Sequence, residues 1–167
     1  MDGKVLVAYA TRSGSTQGVA EAIGEVLTEN GETVDVRNVK DVRDPSSYEA
    51  VILGSAVRAG NLMPEAVKFV EKHQGALGEI PVVYFVVCAT LKEDTEENRE
   101  VVAGYLDPVR SMVEPVEVGL FAGAIDPSKL SLPLRLMMKA MKAGEGDWRD
   151  WDAIRAWAGD VCHSLQQ

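Results

Sequence analysis

The sequence predicts an α/β fold, a doubly wound sandwich whose five-stranded parallel sheet runs in the order 2-1-3-4-5 with helices on both faces. Lys4–Ala10, Ala50–Ala56 and Ile80–Cys88 are almost continuously apolar, which marks strands buried on both sides. Thr33–Val39 instead alternates apolar and polar residues, as a half-exposed edge strand does. Stretches with apolar residues at helical spacing separate these runs.

Along the chain, Lys4–Ala10 forms the first strand. Val19, Ala20, Ile23, Val26 and Leu27 then share one helical face, and Gly31 stops that helix. The alternating strand Thr33–Val39 follows. The link from Asn38 to Tyr48 is too short for a long crossover helix, so a single turn is expected at Pro45–Tyr48. After the third strand, Ala50–Ala56, Pro64 suits the first turn of a second helix in which Ala66, Val67, Val70 and Leu77 recur. The fourth strand is Ile80–Cys88. Val101, Val102, Tyr105, Leu106, Val109 and Met112 then predict one continuous helix. A fifth strand lies between Val116 and Ala124. Asp150 caps a final helix whose inward stripe is Ile154, Trp157, Ala158, Val161 and Leu165. No repeat, linker or low-complexity tract interrupts this order, and 167 residues suit one domain.

Composition narrows the functional classes. Seventeen basic against 26 acidic residues leave a net charge of −9, which repels phosphate backbones and argues against a nucleic-acid partner. No apolar run reaches the ~18–20 residues needed to cross a bilayer. Met1-Asp-Gly-Lys4 leads straight into a strand rather than into a signal peptide, so a cytoplasmic protein is expected. The two cysteines, Cys88 and Cys162, form no CxxC pair, which suits a reducing compartment and excludes a structural zinc site. With two histidines, His73 and His163, no metal site is expected. Cys88 reads as a small buried hydrophobe, and His73 as a solvated residue on a polar helix face.

In the predicted topology, ligands bind at the carboxyl ends of the strands, near the switch between the first and third. Thr11-Arg-Ser-Gly-Ser-Thr16 stands there, after the first strand and at the start of the first helix. Hydroxyl side chains, free backbone N–H groups and a helix N-terminus together make an anion cradle. Gly14 allows a close backbone approach or a positive φ. The loop has neither GxxxxGK[ST] nor GxGxxG, so a Walker site and a dinucleotide fingerprint are absent. A receiver domain would need acids after the first and third strands, where Thr11 and Ser55 stand. A cysteine-phosphatase loop starting at Cys88 would need Arg six positions on, where Asp94 stands. A mononucleotide phosphate bound without a metal remains.

Thr11-x-Ser-Gly-x-Thr16 resembles the FMN-phosphate loop of flavodoxins, and Tyr48–Ser55 is similar to their third strand. Gly54–Gly60, Phe121–Ala124, the Met-rich segment 132–142 and the Gly-rich stretch before Trp151-Asp152 resemble more specifically the flavodoxin-like, menaquinone-dependent protoporphyrinogen oxidases. This resemblance spans about Lys4 to Asp160. It implies a flavodoxin-like fold and a non-covalent FMN whose phosphate is held by Thr11, Ser13, Gly14, Ser15 and Thr16, with Arg12 in the same loop. The isoalloxazine would be bordered by Ser55, Ala56, Val57, Arg58, Ala59 and Gly60, and on the other side by Cys88, Ala89, Thr90 and Leu91. Backbone amides of these loops would tune the flavin, which carries out the electron chemistry. Arg58 would stabilise the reduced, anionic ring and is the candidate catalytic residue. Many flavodoxins sandwich the ring between aromatic side chains, but neither loop has one here. Leu62, Leu91 or Trp148 would have to cover it, and Trp148 is the aromatic candidate at the rim of the site.

Two functions are then expected to compete. One is an oxidoreductase passing electrons from a reduced substrate, protoporphyrinogen by resemblance, to a quinone. The other is a soluble flavodoxin that exchanges single electrons with iron–sulfur partners. The segment from Lys129 to Lys142 carries Lys129, Arg135, Lys139 and Lys142 and no acid, a local +4 in a chain of −9. With Leu132, Leu134, Leu136, Met137, Met138 and Met141 it reads as a basic, Met-rich helical insertion at 129–143, suited to lie on an anionic membrane. The oligomeric state is left open.

Overall fold

The central strands carry their apolar residues to alternate sides, and each side is sealed by its own helices. This arrangement is seen in a computed structural model, which describes residues 3–11, 14–125, 132–133, 136 and 146–166. Five parallel strands, β1 (Lys4–Ala10), β2 (Thr33–Asn38), β3 (Ala50–Arg58), β5 (Val82–Cys88) and β6 (Glu117–Ala122), lie in the order β2-β1-β3-β5-β6. That is the predicted order of the main strands. A sixth strand, β4 (Asn61–Leu62), turns back antiparallel on β3 and was not predicted.

On one side, Val5, Val7, Ile52, Val83 and Phe85 meet helix α1 (Ser15–Glu29) and helix α6 (Trp151–Leu165). Val19, Ala20, Ile23 and Leu27 of α1, and Ile154, Ala158 and Val161 of α6, are fully buried there. On the other side, Leu6, Leu53, Val82, Tyr84 and Val86 meet helices α2 (Pro64–Lys72), α3 (Gln74–Leu77), α4 (Glu96–Gly104) and α5 (Asp107–Arg110). Tyr84 is buried but satisfied, because its hydroxyl donates to the Val113 carbonyl at 2.7 Å. Burial also pushes its pKa well above the ordinary tyrosine value, with the nearby Glu114 charge adding to the effect.

Several expected boundaries move. The Asn38–Tyr48 link makes two 3₁₀ turns, Val39–Asp41 and Pro45–Ser47, rather than one. The helix expected over Val101–Met112 breaks into α4 and α5. Gly104 ends the first piece and Asp107-Pro108 starts the second, where proline suits a first turn. Val102, Leu106 and Val109 stay inward across the break, while Val101 is exposed. The second helix likewise ends at Lys72, and Leu77 belongs to α3. His73, expected in solvent, is half-buried with its ring 5.0 Å from Phe69, and burial lowers its pKa. A second small sheet pairs β7 (Ala124–Ile125) antiparallel with β8 (Gly146–Asp147). Most of the predicted insertion, including Lys129, Arg135, Lys139 and Lys142, lies outside the described residues.

Candidate functional site at the carboxyl ends of the strands

Register brings the predicted loops together. Ala10 of β1 lies opposite Ser55 of β3, and Ser55 lies opposite Val86 of β5, so the three strands end side by side. The chain that leaves them forms the 11–16 loop, the β3–β4 hairpin and the turn Ala89–Lys92. These are the three stretches singled out from sequence.

In the first loop, Gly14 adopts a left-handed conformation (φ 95°, ψ −9°) that a side chain would strain. Its N–H donates to Thr11 Oγ1 at 3.0 Å, which closes the turn. Helix α1 begins at Ser15 with no side-chain cap and no acidic residue in its first turn. Among the described residues, no side chain caps these N–H groups and no acid in the first turn offsets the positive dipole end. Thr16 is fully buried, and its Oγ1 has no hydrogen-bonding partner among the described residues. A buried hydroxyl in that state is costly, and an anion accepting from it would relieve the cost. The donors suit a phosphate. Arg12 and Ser13 lie outside the described residues.

The second loop is a tight hairpin. Val57 pairs with Leu62 and Arg58 with Asn61, leaving Ala59 (φ 51°) and Gly60 (φ 76°) as the two central residues. Positive φ at both positions is the type I′ pattern, which matches the twist of the strands. Ala59 carries the strain of an unusual backbone there, and Asn61 Nδ2 donates to its carbonyl at 3.1 Å. Ser55 is buried and works on the hairpin itself. Its hydroxyl donates to the Ala56 carbonyl at 2.7 Å and accepts from the Met63 N–H at 3.0 Å. Ala56 and Val57 are half-buried, while Arg58, Ala59 and Gly60 are exposed at the tip.

The third loop is fixed from two sides. Asn98 of α4 donates through Nδ2 to the carbonyls of Thr90 (3.3 Å) and Glu93 (2.9 Å). On the other side, the Gly123 N–H donates to the Cys88 carbonyl, and the Trp148 N–H donates to the Gly123 carbonyl. This backbone relay hangs Trp148 at the end of β5, where Lys92 Nζ stands 5.4 Å from its ring centre. Cys88 is buried as expected, Ala89 is half-buried and Thr90 is exposed. Leu62 and Leu91, considered as covers for a ring, instead turn into the core. Trp148 is the one of the three that remains at the surface of the site. A cleft of about 490 Å³ opens beside this loop along the outer side of β6, lined by Leu91, Lys92, Phe121, Trp148 and Trp157 among others.

Sequence reasoning missed Asn98, whose anchoring role has no local signature; Trp157 packs against the sheet, as its place on the inward stripe of the last helix predicts. The indole of Trp157 rests where Gly119 has no side chain, and its ring meets Phe121 edge-on at 5.2 Å.

Known proteins bear on this arrangement. Over 174 aligned positions the chain is 26% identical to the protoporphyrinogen IX dehydrogenase [quinone] of Escherichia coli K12, covering 96% of this chain and 95% of that one. The protein of the same name from Leishmania major is 28% identical, over 94% of this chain and 74% of that one. Among solved structures, a flavodoxin from the domain Archaea superposes with a TM-score of 0.59 at 18% identity, covering 98% and 99% of the two chains. A Streptococcus pneumonia TIGR4 flavodoxin does so with 0.63 at 15% identity, covering 98% and 97%. These likenesses establish the fold. The family model described as "Flavodoxin domain" matches residues 6–152, which include all three loops, and the chain therefore belongs to the flavodoxin domain family.

Proposed function

We propose that this protein binds one FMN without a covalent bond and acts as an oxidoreductase, drawing electrons from a reduced substrate of the protoporphyrinogen type and delivering them to a quinone. The observation that carries the binding is the buried, unpartnered Thr16 hydroxyl at the uncapped start of α1, beside the left-handed Gly14. Thr11, Gly14, Ser15 and Thr16 would hold the phosphate, together with Arg12 and Ser13. The hairpin tip, with Ala56, Val57, Arg58, Ala59 and Gly60, would border one side of the ring system. Cys88, Ala89, Thr90 and Leu91 would border the other through their backbone. Bound FMN supplies reversible one- and two-electron chemistry.

The residues of the chain bind, orient and shield. Arg58 brings a positive charge to the hairpin tip, which favours a reduced, anionic ring. Ser55 holds the hairpin through two hydrogen bonds, and Asn98 holds the facing loop. The cleft beside Trp148 offers aromatic walls to a flat, apolar reactant next to the ring loop. Support for the substrate and acceptor comes from the names borne by the Escherichia coli and Leishmania major relatives. The basic segment 129–142, with Leu132 and Leu136 exposed, would lie on an anionic membrane and bring the site to a lipid-soluble quinone.

A second reading is a soluble electron carrier. Glu93, Asp94, Glu96 and Glu97 are exposed immediately after the third loop, and an acidic rim of this kind steers basic protein partners. One experiment tests both readings. The purified protein should show flavin absorbance. After anaerobic photoreduction it should be reoxidised by a short-chain naphthoquinone much faster than by an iron–sulfur protein. Faster reoxidation by the iron–sulfur protein favours the carrier, and a colourless protein that fails to take up added FMN refutes both.

A further inference from the structure

Arg149 lies 134 residues after Ser15 in the chain, yet its Nη1 donates to the Ser15 carbonyl at 3.5 Å. The guanidinium is held in place on three sides. Nε and Nη2 grip Asp147 at 2.9 and 2.6 Å, and Cζ stands 4.8 Å over the ring of Trp151. On the third side it fills the space that Gly18 leaves open, since a Cβ at position 18 would lie 2.9 Å from Nη1. The side chain is only 19% exposed.

This placement is electrostatically unusual. Cations favour the carboxyl end of a helix, whereas Arg149 sits against the first turn of α1, at its positive end. Asp147 offsets part of the charge, but α1 has no acid of its own there. Positive potential is therefore concentrated around the same turn that leaves Thr16 Oγ1 without an acceptor. A dianion bound at that turn would remove the conflict.

We propose that Arg149 is a positioning residue for the flavin phosphate: it raises the potential at the 11–16 loop and makes the protein select a phosphorylated flavin over riboflavin. The inference rests on reading that loop as the phosphate site. Asp147 then acts as a brake, since its carboxylate holds the guanidinium in place while reducing the attraction it exerts. Arg149 also joins β8 to α1, so the strand pair β7–β8 and the cofactor loop share one electrostatic contact.

The test is a pair of titrations, FMN and riboflavin, followed by quenching of flavin fluorescence on the full-length apoprotein. The wild type should prefer FMN. Arg149→Gln, which can still donate to the Ser15 carbonyl, should lose about five- to ten-fold in FMN affinity and leave riboflavin affinity unchanged. Arg149→Lys should restore most of the preference. Asp147→Asn should tighten FMN two- to three-fold, about the effect of unmasking one partly screened charge, again without touching riboflavin. Added salt should narrow the FMN–riboflavin gap in the wild type more than in Arg149→Gln. Equal weakening of both ligands in Arg149→Gln, or an unchanged ratio, overturns the proposal while leaving the phosphate loop intact. A wild type that binds FMN no better than riboflavin overturns the loop assignment itself. Should Arg149→Gln fail to fold, the opposite shift in Asp147→Asn still decides.

Discussion

Thr16→Val should strengthen the ligand-free protein and weaken its hold on FMN. Valine is close to threonine in shape, so it can occupy the same fully buried position in the first turn of α1. What changes is Oγ1, which has no partner among the described residues. A buried hydroxyl in that condition costs about 1–3 kcal/mol. Removing it should raise the melting temperature of the apoprotein by about 2–4 °C for each kcal/mol recovered, in a chain of this length. In the complex the same hydroxyl would donate to a charged phosphate oxygen, a bond worth about 1.5–3 kcal/mol. Its loss should raise the FMN dissociation constant about 10- to 150-fold. Differential scanning fluorimetry across an FMN concentration series measures both effects. The apo melting point rises, and the FMN-dependent gain shrinks. A variant that melts lower without ligand and binds FMN as well as the wild type would refute the assignment of Thr16 to the cradle.

Gly14→Val should disrupt the loop, because a β-branched residue at φ 95° is strongly disfavoured; isothermal titration should find FMN binding lost while far-ultraviolet circular dichroism stays native. Gly54→Ala should destabilise by about 1–3 kcal/mol or more, since a Cβ there would lie 2.0 Å from the Phe85 ring inside the sheet; urea unfolding measures it. Tyr84→Phe should cost about 1 kcal/mol through the lost hydrogen bond to Val113. It should also change the alkaline limb. The folded state holds the Tyr84 proton more tightly than the unfolded chain, so this stabilisation is complete below about pH 10 and is lost as pH rises above it. Wild-type stability should therefore fall more steeply than the variant's as pH rises above about 10 in urea titrations, and parallel curves there would contradict the burial effect. Arg58→Ala should lower the potential at which bound flavin is reduced, and an unshifted redox titration would remove Arg58 from the site.

Much of this molecule is legible in one dimension. β1, β3 and β5 are unbroken apolar runs because helices cover both of their faces, and β2 alternates because it is an edge. The loop at 11–16 stands out because hydroxyls, a glycine and a helix start fall within six consecutive residues. The β3–β4 hairpin is not visible, because Ala59-Gly60 lacks the Asn-Gly signature of a type I′ turn, and only the fold holds alanine in that backbone. The α4–α5 break was marked by Gly104 and Asp107-Pro108, but the continuous stripe Val102–Leu106–Val109 masks it, since both pieces bury the same side. The anchor Asn98 and the cation Arg149 act across tertiary contacts. Arg149 reaches Ser15 from the far end of the chain, and no local pattern encodes that pairing.

The packing of α6 on α1 also has a consequence for how the molecule is made. Helix α1 is flanked by α6 on the same face of the sheet, and Arg155 ties the two helices through Glu29 at 3.0 Å. On a translating ribosome, about 136 residues are added between Ser15 and Trp151. At about 5–20 residues per second this takes roughly 7–27 s. During that interval β1 and α1 can form, but the side chains that α6 will cover remain open to water or to a chaperone. The flank of α1 that α6 covers is therefore closed only when the last helix docks.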